Sequence, residues 1–368
     1  MTHGRTPSRV VRAVRGCGSL AIEIAPIAGP LPARRAGYLT FALGRALGGK
    51  RQDLLFTRDL GLASMLVRMP RAVRAPLVYE AHTIAADEAA ARPRMLSGGA
   101  EPSPAKLKRL AARDRRVWTG AEGYVTITGG LKTELERRFG SRTRIAVVPD
   151  GVRSDPEPRT SDPEPRASGI GPRTSDLAPR AFTIAYAGHL YPWKGVDLIV
   201  EAVMALPDAQ ALIVGGHDKE PDLARVKALA EQLDCASRVT FTGLVAPAQV
   251  AARLREADVL VLPNPASAIS SAFTSPLKLF EYMAAGRPIV ASDLPAIREV
   301  LAHERNALLF EPGNPQALTA AIRRVKEDPA LGARLARQAA VDVGEYTWAR
   351  RADRLEALFA EVLGARRV

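Results

Sequence analysis

The chain has 368 residues, 47% hydrophobic and 25% charged, with a formal net charge of +13. That length accommodates two domains, and the balance is that of a globular chain, which excludes a disordered or collagen-like one. No apolar run approaches the ~18 residues of a membrane span, and the five histidines and two cysteines lack metal-ligand spacing.

The N-terminus is basic but has no apolar h-region and no small-residue cleavage site, so it reads as lacking a secretory signal. Cys17 and Cys235, far apart in the chain, read as reduced thiols of a cytoplasmic protein. Next, SLAIEIAPI (19–27) has the period-two pattern of a strand, LTFALGRAL (39–47) that of a helix, and DLLFTR (53–58) that of a strand again. PLVYEAH (76–82) and GYVTIT (123–128) are further short apolar runs, and RIAVVPDG (144–151) closes the series. Such alternation predicts a parallel sheet with helices on both faces, whose ligands bind beyond the carboxyl ends of the strands. His82 and the turn Thr128-Gly129-Gly130, before the helix LKTELERRF, fall at that edge. His82 is equally readable as a loop histidine satisfied by a backbone carbonyl.

Residues 1–75 hold 13 Arg or Lys against Glu23, Asp53 and Asp59, which is +10 of the net charge. A second basic run, Lys106, Lys108, Arg109, Arg113, Arg115 and Arg116, shares a predicted helix with Leu107, Leu110 and Val117. A basic amphipathic surface suits an anionic membrane. A plain solvated face is the alternative, because 43 of the 52 basic residues are Arg in a chain also rich in Ala and Pro. Nucleic acid is disfavoured, since no aromatic-interleaved motif accompanies the charge.

Residues 154–180 read in sevens as SDPEPRT, SDPEPRA, SGIGPRT and SDLAPR. This Pro-rich repeat has too little apolar content to offset its ordering entropy and is expected to be a linker. It separates an expected N-terminal domain, 1–153, from a C-terminal one, 181–346.

Beyond it the alternation resumes. AFTIAYAG (181–188) is a strand, KGVDLIVEAVMAL (194–206) a helix, QALIVGG (210–216) a strand and PDLARVKALAEQL (221–233) a helix. RVTFTG, DVLVLP and RPIVAS follow as strands, each trailed by a helix, so the chain is expected to be α/β with two doubly wound, Rossmann-like domains. Neither GxGxxG nor GxxxxGK occurs, which removes the main support for dinucleotide and P-loop readings. Lys194 stands at the entrance of the helix after the first strand, within reach of a phosphate.

SPLKLFEYMAAG (275–286) reads as a helix from about Pro276 to Ala285, with Ser275 capping and Gly286 closing it. Its first-turn amides at Leu277 and Lys278 lack intrahelical partners and suit a phosphate, and Glu281 lies one turn on, suited to a ribose. The plainer reading is an amphipathic helix with Leu277, Phe280 and Ala284 toward the core.

GHLYPWKGVDLIVEA, VTFTGLV, SPLKLFEYMAAGRPIVAS and YTWARRADRL, in this order and spacing, resemble glycosyltransferase family 4, retaining enzymes of the GT-B fold. The first half resembles the family through VYEAH, the VTIT turn and VVPDG. The resemblance implies two domains facing a cleft, with the last helix, within 347–368, packing back on the first. That helix is about Thr347 to Leu363, with Trp348, Leu355, Phe359 and Val362 on one stripe. It further implies that Gly188, His189 and Lys194 lie along the donor diphosphate and that the segment Ser275, Pro276, Leu277 and Lys278 holds phosphate oxygens through its free amides. Glu281 would bind the donor ribose, the backbone at Leu244 the base, and His82 the donor sugar or acceptor as the catalytic-site histidine.

Three departures stand out. The family often has Arg at His189, many members have Glu at Phe273, and members begin with a strand and a glycine-rich loop. Here VVRAVRG (10–16) reads as the end of the first helix, so the first strand is expected to be missing or the chain to start late. The expected function is retaining transfer of a sugar from a nucleotide diphosphate sugar to a hydroxyl of a lipid-linked or glycan acceptor. No cofactor or metal is expected, and the location is cytoplasmic, peripheral at the inner membrane face. A sugar-nucleotide epimerase on the same fold and a nucleotide-sugar-binding protein without turnover are the alternatives.

Overall fold

The computed structural model describes residues 10–11, 20–21, 31–47, 53–95, 100–153, 181–218, 220–267 and 277–365. The repeat at 154–180 and Cys17, Phe273, Ser275 and Pro276 lie outside the described residues. Near the start, β1 (Val10–Val11) pairs antiparallel with β2 (Leu20–Ala21). This corrects the helical reading at Val10 and Val11, where β-branched residues favour an extended ladder; 12–16 lie outside the described residues.

The first sheet is four parallel strands in sequential order, β3 (Leu55–Thr57), β4 (Leu77–Ala81), β5 (Gly123–Thr126) and β6 (Ile145–Val147). Every residue of β4 and β5 is buried, as in a sheet covered on both faces. One face carries Leu62, Leu66, Val117, Trp118, Leu131 and Leu135 from helices within 60–139. The other is closed by the last helix, Trp348–Gly364, whose Leu358 and Val362 pack on Val78, Val125 and Val148. Each such buried side chain contributes roughly 1.5–3 kcal/mol, which fastens the helix to the first sheet. Thr347 caps that helix rather than beginning it. Its stripe also differs from expectation, because Trp348 is 45% exposed and Leu358 takes the buried place.

The second sheet is six parallel strands, β7 (Phe182–Ala187), β8 (Ala209–Val214), β9 (Val239–Phe241), β10 (Val259–Leu262), β11 (Ile289–Ser292) and β12 (Leu308–Phe310), in the order β12-β11-β10-β7-β8-β9. Strand order therefore reverses between β7 and β10, and the crevice beyond their carboxyl ends is where such sheets bind ligands. Apolar clusters cover both faces. The two halves meet where Val152 bridges Thr347 and where the Glu299 carboxylate accepts the Gly129 and Gly130 amides at 2.7 and 2.8 Å. No helix among the described residues is long and apolar enough to cross a membrane.

Candidate functional site

The chain leaves β7 through Gly188, whose φ is +141° and whose missing Cβ is filled by the Lys278 side chain. Any side chain at 188 would collide with Lys278, so this glycine brings the two segments of the switch point together. Lys278 is carried by the helix Leu277–Ala284, and Gly286 beyond it takes φ +67°, the left-handed closure expected there. The core face of this helix is Leu279, Phe280, Tyr282 and Met283, not Leu277, Phe280 and Ala284. Leu277 is 48% exposed, which leaves the first turn open to a ligand. The buried Tyr282 hydroxyl accepts the Ala187 amide at 2.8 Å, tying this helix to the end of β7.

Gly188, His189, Leu244, Lys278 and Glu281 line one cavity of about 200 Å³ at the switch point, closed below by Val214 and Gly216. Lys194 stands beside it on a single 3₁₀ turn, Pro192–Lys194. Gly195, at φ +69°, separates that turn from the helix Asp197–Ala205, so Lys194 precedes the helix rather than opening it.

Electrostatics single out the two lysines. Burial, and then the Lys278 ammonium, push Lys194 down to about 8. Burial also lowers Lys278, while Glu281 and Glu220 act against the shift. Glu281 keeps a solvent-exposed face, yet partial burial raises its carboxyl, with Lys278 opposing. Two buried lysines, one of which lowers the proton affinity of the other, form a site that a multivalent anion would relieve. His189 is braced from the far side: its Nδ1 meets the buried Glu220 carboxylate, whose other oxygen accepts the Leu190 amide at 2.8 Å. Burial disfavours the Glu220 charge, but the Leu190 amide and His189 hold the carboxyl below its ordinary value.

His82 belongs to the chain's other half, just past β4. It is paired not with a backbone carbonyl but with Glu80, Nε2 to Oε1 at 2.5 Å. The turn Thr128-Gly129-Gly130 also reaches this edge, where Thr128 caps the helix Gly129–Phe139 and both glycines belong to its first turn. The Thr83 and Thr126 hydroxyls are buried there without a partner among the described residues.

A larger cavity, about 290 Å³, opens between Leu39, Ser64, Arg68, Arg113 and Arg116 of the first half. Size alone would select it, but the smaller cavity has the switch-point position and the convergent lysines and carboxylate of a ligand site. Glu80, Glu220, Tyr282 and Glu299 escaped sequence reasoning, because each acts on a partner distant in the chain. Only the closeness of Glu80 to His82 in the sequence was available as a signal. No group of three or more His, Cys, Asp or Glu with metal-holding geometry occurs among the described residues.

A model of glycosyl transferases group 1 matches residues 181–328, and a model of glycosyl transferase 4-like domains matches residues 2–151. The D-inositol 3-phosphate glycosyltransferase of Streptomyces avermitilis is 28% identical over 285 residues, 74% of this chain and 57% of that protein. The phosphatidyl-myo-inositol mannosyltransferase of Mycobacterium leprae is 33% identical over 161 residues, 43% of this chain and 40% of that protein. Across the curated inositol 3-phosphate relatives it matches, the chain spans 43% to 63% of their length. Among solved structures, sucrose-phosphate synthase from Thermosynechococcus elongatus superposes with a TM-score of 0.70 at 19% identity, over 90% of this chain and 79% of that one. Anabaena HepE in complex with UDP gives a TM-score of 0.69 at 18% identity, over 90% and 84%. At these identities the structural likeness speaks to the fold.

Proposed function

Because this chain belongs to the GT4-type glycosyltransferases of the GT-B fold, we propose that it transfers a sugar, with retention, from a nucleotide diphosphate sugar to a hydroxyl acceptor. The observation that carries the reading is the convergence of Gly188, His189, Lys278 and Glu281 on one cavity at the switch point, with Lys194 beside it. Lys194, Lys278 and the first-turn amides of Leu277 and Lys278 hold the diphosphate and stabilise it as it leaves. Glu281 accepts the ribose hydroxyls, and the exposed Leu244 segment borders the base. Ser275 and Pro276, outside the described residues, are assigned to the same phosphate site, Ser275 through its amide N–H, since proline has none. His82 meets the sugar or the acceptor from the first half, and a donor phosphate oxygen takes the acceptor proton in a front-face displacement. The enzyme's contribution is positioning and charge.

With charge neutralisation assigned to lysines and amides, no metal is required, and EDTA is expected to leave turnover unchanged. The two catalytic halves are domains 1–153 and 181–346, joined by the 154–180 linker. The acceptor is lipid-linked or a glycan intermediate, taken at the inner face of a membrane. The exposed Lys106, Lys108, Arg109, Arg113 and Arg115 on the helix Pro104–Gly120 support this lean toward an anionic surface, where each contributes roughly 1 kcal/mol.

The test is a nucleotide-sugar panel with candidate acceptors, read as acceptor-dependent release of nucleoside diphosphate and by the anomeric configuration of the product. Retained configuration supports the reading. Release of free nucleotide with an altered sugar and no acceptor would indicate epimerisation, and binding without release would indicate a protein without turnover.

A further inference from the structure

Glu80 lies on β4 and His82 just past its end, and their side chains meet at the carboxyl edge of the first sheet. Glu80 is 1% exposed, and both of its oxygens are engaged. Oε1 meets His82 Nε2 at 2.5 Å, and Oε2 accepts Arg351 Nη2 at 2.7 Å. Arg351 comes from the returning helix, 271 residues away, and is itself buried. Its Nη1 donates to the Val148 and Pro149 carbonyls at 2.6 and 2.8 Å and lies 4.0 Å from Asp150 Oδ1. The guanidinium is thereby locked in place by the loop after β6. Arg58 adds a second, looser cation, 3.9 Å from Glu80 Oε1. Burial disfavours a charge on Glu80, but the His82 hydrogen bond and then Arg351 hold the carboxyl below its ordinary value.

An ionised carboxylate only accepts hydrogen bonds. The nitrogen facing Glu80 must therefore carry a proton, which fixes the neutral ring as Nε2–H and leaves a lone pair on Nδ1. No hydrogen-bond partner for Nδ1 occurs among the described residues, and the side chain is 34% exposed at the sheet edge. We propose that Glu80 and Arg351 are positioning residues that hold His82 in the Nε2–H tautomer, presenting Nδ1 as an acceptor to a substrate hydroxyl. A bare Nδ1 and a phosphate oxygen are both acceptors and cannot pair, so this histidine selects a sugar or acceptor hydroxyl and not the diphosphate. The helix that returns from the second half thus sets the chemistry of a histidine in the first. The inference rests on the reading of His82 as a substrate-contacting residue, and its experiment is separable from that reading.

The experiment is a long-range ¹H–¹⁵N correlation spectrum of imidazole-labelled full-length protein at pH 8, with His82 assigned by His82→Gln. The wild type is expected to show a protonated Nε2 and a bare Nδ1. In Glu80→Gln, Arg351 claims the amide oxygen, so the amide NH₂ faces His82 Nε2 and the tautomer inverts to Nδ1–H. Turnover of that variant is expected to fall at least tenfold in kcat, with nucleoside diphosphate affinity in the second-half cavity unchanged within twofold. Arg351→Met should move the tautomer and kcat in the same direction, and Arg351→Lys should restore part of both. A wild-type His82 that carries its proton on Nδ1 overturns the proposal without any variant needing to fold. An unchanged tautomer in a folded Glu80→Gln protein overturns it equally. If no donor turns over in the wild type, the proposed function fails while the tautomer measurement still decides this inference.

Discussion

Each half of the molecule presents a histidine at the edge of its sheet, braced by a buried glutamate, but through opposite ring nitrogens. In the second half Glu220 takes His189 Nδ1, and in the first Glu80 takes His82 Nε2. The surroundings differ as much. His189 opens on a cavity with Lys278 and Glu281, whereas His82 stands near two hydroxyls without a partner among the described residues and a guanidinium borrowed from the last helix. In the proposed reaction the lysine-bearing edge would hold the charged leaving group and the His82 edge would meet a hydroxyl.

The sharpest way to break this division is to remove the charged edge. Lys194→Ala and Glu281→Ala should each weaken nucleotide-sugar binding roughly tenfold to a hundredfold, since a charge-assisted contact contributes about 1.5–3 kcal/mol. Both proteins should still melt cooperatively near the wild-type temperature. Calorimetric titration checks this, and unchanged affinity in both variants would remove these residues from the site.

A change of pH should weaken the same edge without mutation. Lys194 lies at about 8 in the free protein. Its protonated form is the one that pairs with diphosphate, so affinity is full below pH 8 and declines as pH rises above it. The decline approaches about tenfold per unit. At pH 9 the dissociation constant should thus be several-fold to tenfold weaker than at pH 7, and in Lys194→Ala the slope should flatten.

The contact between the halves is the next target. Glu299 reaches from the second half to the Gly129 and Gly130 amides of the first. Because that carboxylate is exposed, Glu299→Ala should cost only about 1 kcal/mol. It should appear as faster amide exchange at Gly129 and Gly130, with donor affinity unchanged.

The smallest effect is expected from the 154–180 repeat. Its replacement by Gly/Ser of equal length should leave melting temperature and turnover within error, and a large loss in either would assign it a packing or recognition role.

These two edges also show what was legible in the sequence. The charged edge is written in short contiguous stretches, Gly188 to Lys194 and Leu277 to Glu281, whose spacing survives folding because each is one turn between a strand and a helix. The alternation of strand and helix gave both parallel sheets for the same reason. At the other edge His82 was legible but its bracing was not: Arg351 reaches Glu80 only once the last helix has crossed back, and nothing local marks it out from the other arginines. Helix faces were misjudged where the burying partner comes from elsewhere. Leu277 looks like a core residue by period but is exposed, and Trp348 gave way to Leu358 because the stripe is set by Val78, Val125 and Val148.

The most direct measurement is hydrogen–deuterium exchange of the full chain, with and without the nucleoside diphosphate that gives the largest thermal shift among the uridine, guanosine and adenosine forms. Protection is expected at 188–195, 243–245 and 277–281, with exchange at 59–68 and 104–120 unchanged. Protection confined to the arginine-lined cavity of the first half, with 188–195 and 277–281 unaltered, would contradict the account.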